Sequence, residues 1–249
     1  MSLDELQRER YSRQLRLPEI GESGQERLME AGVLLVGAGG LGSPAGLYLA
    51  AAGIGRMGVV DGDRLELSNL QRQVMHMTCR IGTPKASGAA KALRALNPDV
   101  HVTPVDAMLT PDNAQDLIAD YDFVIDATDN FAAKFLVADV CHRVGRPYSH
   151  AGISRFFGQT LTVLPGRTAC YRCVFGQPPE TEDTEPAGPL GAVPGVIGAV
   201  QAAEAVKCIL GLGNLLTDRL LTFDALEMRF REVPLKRNPR CQLCAVMED

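Results

Sequence analysis

Short apolar runs alternate with helical periods along the 249-residue chain. Residues 33–36 are four consecutive apolar positions, too few for a helix and right for a buried strand. Gly37-Ala38-Gly39-Gly40-Leu41-Gly42 follows at once with GxGxxG spacing, and Ser43 and Pro44 predict a capping hydroxyl and an N1 proline heading an apolar helix. Residues 57–60 read as a second strand ending at Asp61. A helix is expected from Lys85 to about residue 96, a strand over 100–108, a short helix over 111–120 and a strand over 122–126. A helix over about 132–144 and a strand near 147–150 complete the parallel portion. From Ile153 the style changes: 158–164, 219–224 and 227–233 read as antiparallel strands, with an apolar helix over 196–212 among them. Residues 3–31 predict two helical pieces broken near Pro18 and the Gly21-Glu22-Ser23-Gly24 stretch. The expected fold class is therefore α/β, a Rossmann-like, mostly parallel sheet continued by antiparallel strands.

Glycines belong after the first strand because a phosphate approaches the backbone only where no Cβ intervenes, and the following helix N-terminus supplies amides and partial positive charge. Asp61 lies 61 − 42 = 19 residues past the last glycine, the place where such a unit keeps the carboxylate that accepts from ribose hydroxyls. A bound nucleotide follows from this context. Which nucleotide does not, and an NAD-dependent oxidoreductase is one candidate. Beyond Asp61 the segment from Gly62 to Gln73, with Asp63, Ser68, Asn69 and Arg72, is too polar for a core strand and reads as a second hydrogen-bonding segment beside the nucleotide. Asn69 offers an amide and Arg72 a charged planar fork suited to phosphate oxygens. Lys85, at a helix N-terminus, opposes the helix dipole unless an anion sits between them. Past the strand at 122–126, Asp126, Asp129 and Asn130 cluster where open parallel sheets bind ligands. Asp126 reads as structural, and Asp129, one step into the loop, as the Mg²⁺ ligand.

Composition narrows the classes. A content of 46% hydrophobic residues fills a sizeable core, and a net charge of −5 without a basic run gives no electrostatic support for nucleic acid. The first ten residues lack the apolar stretch of a secretory signal. Residues 192–212 raise a membrane question, but Gln201, Glu204 and Lys207 at helical spacing favour packing against protein. A cytoplasmic protein is expected, with its seven cysteines reduced, metal-bound or catalytic. Cys170 and Cys173, then Cys241 and Cys244, form two CxxC pairs that favour a structural Zn²⁺ site over a redox dithiol. The remaining Cys79, Cys141 and Cys208 read as small, partly buried hydrophobes. The Pro- and acid-rich 177–186 stretch predicts a mobile loop, taken as 176–190.

RYSRQ at 10–14, GAGGLG at 37–42, DGDRLELSNLQRQ at 61–73, PK at 84–85, ATDN at 127–130, CYRC at 170–173 and CQLC at 241–244 occur in this order from one end of the chain to the other. Together they resemble the adenylating enzymes that activate ubiquitin-like proteins, in particular the bacterial ThiF and MoeB group. The resemblance implies ATP-dependent adenylation of the C-terminal Gly-Gly carboxylate of a ThiS- or MoaD-type sulfur carrier. Within one adenylation domain, 1–249, it implies a helical arm at 1–30, a nucleotide-binding half at 31–150 and a carrier-binding half with the zinc site at 151–249. It further implies that Gly37, Gly39, Gly40, Gly42, Asp61, Asp63, Ser68 and Asn130 bind the nucleotide, Asn69, Arg72 and Lys85 the phosphates, and Asp129 the Mg²⁺. Arg13 would reach the triphosphate of the neighbouring subunit in a homodimer, unless 10–14 is simply a solvated helix face. Relatives often carry a loop cysteine where this chain has Thr184, so sulfur is expected from a separate donor such as a cysteine desulfurase or rhodanese. The residues also leave room for a same-superfamily enzyme acting on a small carboxylate or a modified tRNA base, and for a non-catalytic scaffold that keeps the fold.

Overall fold

The structure, a computed structural model, describes residues 2–177 and 188–245. The expected 176–190 loop, with Thr184, falls mostly outside them. Three short helices, α1 (Glu5–Arg10), α2 (Ser12–Leu15) and α3 (Gly21–Glu30), precede β1 (Gly32–Val36), α4 (Gly42–Ala52), β2 (Arg56–Val60), α5 (Lys85–Leu96) and β3 (His101–Val105). Then come α6 (Ala114–Ala119), β4 (Phe123–Asp126), α7 (Phe131–Val144), β5 (Tyr148–Ser154), β6 (Phe157–Val163), α8 (Tyr171–Phe175), α9 (Ala192–Leu210), β7 (Arg219–Asp224) and β8 (Arg229–Pro234). One sheet runs in the order β3-β2-β1-β4-β5-β6-β7-β8. The first five strands pair in parallel and the last three are added antiparallel. This is the expected fold class.

Every residue of β1 is buried, because helices cover both faces of the parallel sheet. Val33 and Leu35 face a core built with α3, α4, α5 and α9, whereas Leu34 and Val36 face one built with α6, α7 and the paired cysteines. The two-residue period of a strand thus splits four apolar neighbours between two cores. Helix α9 is long and apolar enough to cross a membrane by length and composition, and half of that stretch is buried within the protein. Its polar residues are used internally. Gln201 Nε2 donates to the carbonyls of Asp126 and Ser149 at 3.0 Å each, and the Glu204 carboxylate accepts from Thr162 Oγ1 (2.7 Å), the Leu216 amide (2.6 Å) and Lys207 Nζ (2.6 Å).

Four local expectations are corrected. Gly21 to Gly24 do not break the arm; they open α3, with Gly21 at φ +56° and Gly24 letting the helix lie against Ile20 and Leu210. Ser43 does not cap α4: the helix starts one residue earlier, at Gly42, where a Cβ would overlap the Gly37 carbonyl oxygen, and Ser43 Oγ is buried without a hydrogen-bond partner. Strand β5 continues to Ser154, so a single strand joins β4 in parallel and β6 in antiparallel register. Helix α9 begins at Ala192, four residues ahead of expectation, with Pro194 in its first turn, where a missing amide costs nothing.

Glu204→Ala strands a buried amide and a buried hydroxyl, and is expected to cost about 3 kcal/mol, lowering Tm by roughly 6–12 °C. Lys207→Ala, whose side chain is partly exposed, leaves the Glu204 carboxylate its two neutral donors and is expected to cost less, about 1–2 kcal/mol. Calorimetry on both variants checks the ranking, and equal losses would contradict it.

Candidate functional site

Glycine geometry comes first. Gly37 adopts φ +98°, and a Cβ there would lie 2.6 Å from the Ala127 carbonyl oxygen, so the turn after β1 packs directly on the segment after β4. Gly39 faces Gln73, and Gly40 faces Pro194 and the Arg72 side chain, whose Cδ would stand 3.4 Å from a Cβ at that position. The turn is therefore flanked by the 69–73 segment, the start of α9 and residues 127–128.

Asp61 ties the end of β2 to this turn. Its Oδ2 accepts the Ala38 amide at 2.8 Å and its Oδ1 the Asp63 amide at 2.9 Å. Burial raises its pKa, against the pull of those two amides and of Lys85. Each carboxylate oxygen retains a free lone pair for a hydroxyl donor. Lys85 does open α5, and it is buried with Nζ 2.7 Å from Asp63 Oδ2. The anion that its position demanded is thus supplied, in this structure, by Asp63. Asn69 is buried and its Oδ1 accepts the Glu66 amide (3.1 Å), which closes the single helical turn at Leu67–Asn69. Ser68 Oγ donates to Glu66 Oε2 at 3.3 Å, while its carbonyl accepts from Arg72 Nη1 at 3.2 Å. Gly37 to Gly42, Asp61, Asp63, Arg72, Lys85 and the 127–130 segment are brought to one end of the parallel sheet, the end where β1, β2 and β4 finish.

Across the turn, Asp126 is buried in a charged cluster. Burial alone would raise its pKa, but Lys134, the hydrogen bond from His150 and Thr128 prevail and hold it down to about 2. Burial lowers the pKa of His150, so the neutral ring donates from Nδ1 to Asp126 Oδ2 at 2.8 Å. Asp126 is structural, as its place inside the strand pattern implied. Asp129 is exposed at the start of the loop, a single carboxylate of the kind Mg²⁺ uses alongside phosphates and water. Asn130 Oδ1 caps α7 by accepting the Ala133 amide at 2.8 Å.

Arg13 stands apart. The arm is anchored at the opposite end of α4: Asn97 Nδ2 donates to Tyr11 Oη (2.9 Å), Gln14 Nε2 to the Ala52 carbonyl (3.1 Å) and Arg10 Nη1 to the Leu96 carbonyl (3.1 Å). Eleven residues of helix put that anchor roughly 16 Å from the glycine turn. Arg13 is exposed and does not join the cluster around its own glycines.

Two further polar side chains, His76 and Gln73, border the turn. His76 Nε2 lies 2.9 Å from the Ala38 carbonyl oxygen, so Ala38 is held at its amide by Asp61 and at its carbonyl by His76. Gln73 is buried beside Gly39 with Oε1 unpartnered. Gln73 belonged to the SNLQRQ segment and was within reach; nothing in the sequence marks His76.

The four paired cysteines converge with all Sγ atoms within 4.8 Å of one another. Cys170 is 3.7 Å from Cys173 and 3.4 Å from Cys241, and Cys173 is 3.4 Å from Cys244. Tetrahedral zinc with Zn–S bonds of about 2.3 Å requires roughly 3.8 Å between sulfurs, so the donor set fits. Cys79 is exposed, against the reading of it as a partly buried hydrophobe, whereas Cys141 is buried and Cys208 partly so.

The profile of the ThiF family matches residues 11–243. The chain belongs to the ThiF family. It is 47% identical over 247 residues to the SAMP-activating enzyme E1 of Haloferax volcanii, covering 98% of this chain and 91% of that one. It is also 47% identical over 244 residues to the sulfur carrier protein adenylyltransferase of Thermus thermophilus, covering 95% and 90%. Among solved structures, that of E. coli MccB with ATP superposes with a TM-score of 0.81 at 26% identity, over 94% of this chain and 73% of that one. This ThiF-family chain is an ATP-using adenylyltransferase, which removes the NAD-dependent oxidoreductase from consideration.

Asp126, held low in the folded state, has an unfolded pKa of about 3.9. It therefore adds stability that is complete above that value and is lost as pH falls toward about 2. Urea unfolding between about pH 5 and pH 2 should show the gap between Asp126→Asn and the unaltered chain narrowing by about 2 kcal/mol. A constant gap would reject the assignment.

Proposed function

We propose that this enzyme adenylates the C-terminal Gly-Gly carboxylate of a ThiS- or MoaD-type sulfur carrier, acting in the cytoplasm as a homodimer. The observation that carries the reading is the convergence of Arg72, Lys85, Asp61 and the Asp129 loop on one glycine turn, in a chain 47% identical to a sulfur carrier protein adenylyltransferase. A C-terminal carboxylate has a pKa of about 3.5, so the nucleophile is already ionised at neutral pH and no general base is needed. Its oxygen bonds to the α-phosphorus of ATP as the bond to the β-phosphate bridging oxygen breaks, and pyrophosphate leaves. The barrier is the approach of one anion to another, and fixed cations lower it. Asp61 accepts from the ribose hydroxyls, with Asp63, Ser68 and Asn69 in the segment beside them. The Gly39-Gly40 backbone lets the phosphates approach α4.

Arg72 and Lys85 face the phosphates, Lys85 exchanging part of its contact with Asp63 for a phosphate oxygen. Asp129 would hold Mg²⁺, which supplies charge neutralisation on the triphosphate, and Asn130 fixes the loop. The four cysteines would hold zinc, clamping the C-terminal segment to α8. The arm's attachment at the far end of α4 supports a contribution of Arg13 to the neighbouring subunit. Chain 1–249 then acts as one adenylation domain, with its 151–249 half receiving the carrier. No cysteine lies between Cys173 and Cys208, so the product is the acyl-adenylate and sulfur comes from a separate desulfurase or rhodanese.

ATP–pyrophosphate exchange with ThiS- and MoaD-type carriers tests the reading. Arg13→Ala and Lys85→Ala are each expected to lose exchange by about 100-fold or more, with the dimer intact by light scattering. Mixed in equal amounts and allowed to re-pair, they should regain about a quarter of the original activity, because half of the dimers then contain one complete site of two. No recovery would place Arg13 outside the partner's site. Intact mass spectrometry after incubation with carrier and ATP should show no covalent enzyme–carrier adduct; a stable adduct would overturn the free acyl-adenylate.

A further inference from the structure

The loop carrying Asp129 is held from beneath by three buried side chains drawn from three elements. Lys134, in α7, directs Nζ at the Thr128 carbonyl (2.6 Å) and the Ala151 carbonyl (2.7 Å), 3.6 Å from Asp126 Oδ1. Asp126, at the end of β4, accepts the Thr128 amide (3.1 Å) and hydroxyl (2.6 Å) on Oδ1, and the His150 ring on Oδ2. His150, on β5, is walled by the rings of Tyr171 and Phe175 at centroid distances of 4.6 and 5.5 Å. Both belong to α8, the helix that carries Cys173.

Thr128 is thereby fixed at amide, hydroxyl and carbonyl, and Asn130 at its capping oxygen. Between two immobilised neighbours only Asp129 is left projecting to solvent. Lys134, Asp126 and His150 are 7%, 1% and 1% exposed, and the bonds named above keep their polar atoms inside the protein. Burying charges in this way is a poor route to stability, since a well-packed apolar cluster of the same volume serves as well or better. Its gain is geometric: a metal-binding carboxylate works when its direction is set in advance by the groups behind it.

We infer that Lys134 and His150 are positioning residues, which fix Thr128 and so set the direction in which Asp129 meets the divalent ion bound with the nucleotide. The inference rests on the reading of Asp129 as the metal ligand. It requires that the cluster act through Asp129 and not on the ion directly. Mn²⁺ binding by electron paramagnetic resonance, with α,β-methylene-ATP present, reads this without turnover.

Lys134→Met and His150→Leu are expected to weaken Mn²⁺ binding by about 10-fold or more. In an Asp129→Asn background neither should weaken it further. Because Lys134→Met leaves Asp126 unbalanced, the paired change Asp126→Asn with Lys134→Met keeps the buried charge even, and decides the matter if the single variant does not fold. Folded variants with unchanged Mn²⁺ affinity would overturn the inference, as would a full additional loss in the Asp129→Asn background. Unchanged binding in Asp129→Asn alone would instead remove Asp129 as a ligand, and the positioning role with it.

Discussion

A contact between two stretches of bare backbone governs this molecule. Gly42 starts α4 against the carbonyl of Gly37, and Gly37 turns at positive φ against the carbonyl of Ala127. A side chain at either position would push the helix N-terminus away from the strand ends, and with it the amides and partial charge that a phosphate needs. The rest of the parallel half is arranged to keep that approach. Two buried hydrophobic cores press helices on both faces of the sheet, and Asp61 and His76 hold Ala38 by its two backbone groups.

Around this contact the polar side chains are tied to the protein itself. Lys85 is paired with Asp63, Arg72 with the Ser68 carbonyl, and Asn130 with the first turn of α7. These partners hold each side chain in a fixed place at the rim of the turn. Asp126 goes further, for its partners enclose it fully and make it a fixture.

The second half extends the same sheet by other means. Strand β5 takes parallel neighbours on one side and antiparallel ones on the other, so the sheet passes without a break from the glycine turn to the three added strands. The cysteine cluster brings residues 241–244 against α8, and the rings of α8 pack on His150, which touches Asp126. Through those contacts the thiol cluster in one core is linked to the loop that packs on the glycine turn.

Local chemistry was legible in the residues themselves. The strand and helix order, the glycine turn and each CxxC pair follow from spacing within a few positions, because strand alternation, helical period and backbone sterics act over that range. Boundaries were less so: Ser43 looked like a cap, but α4 starts at Gly42 and buries that hydroxyl, and Gly24 looked like a breaker until Leu210 lay against it. What only the tertiary structure decided was partnership. That Lys85 meets Asp63, that His76 reaches Ala38 from 38 positions away and that Lys134 and His150 both close on Asp126 depends on which elements the sheet order sets side by side, and hydrogen bonds between distant residues leave no periodic trace in the chain that makes them.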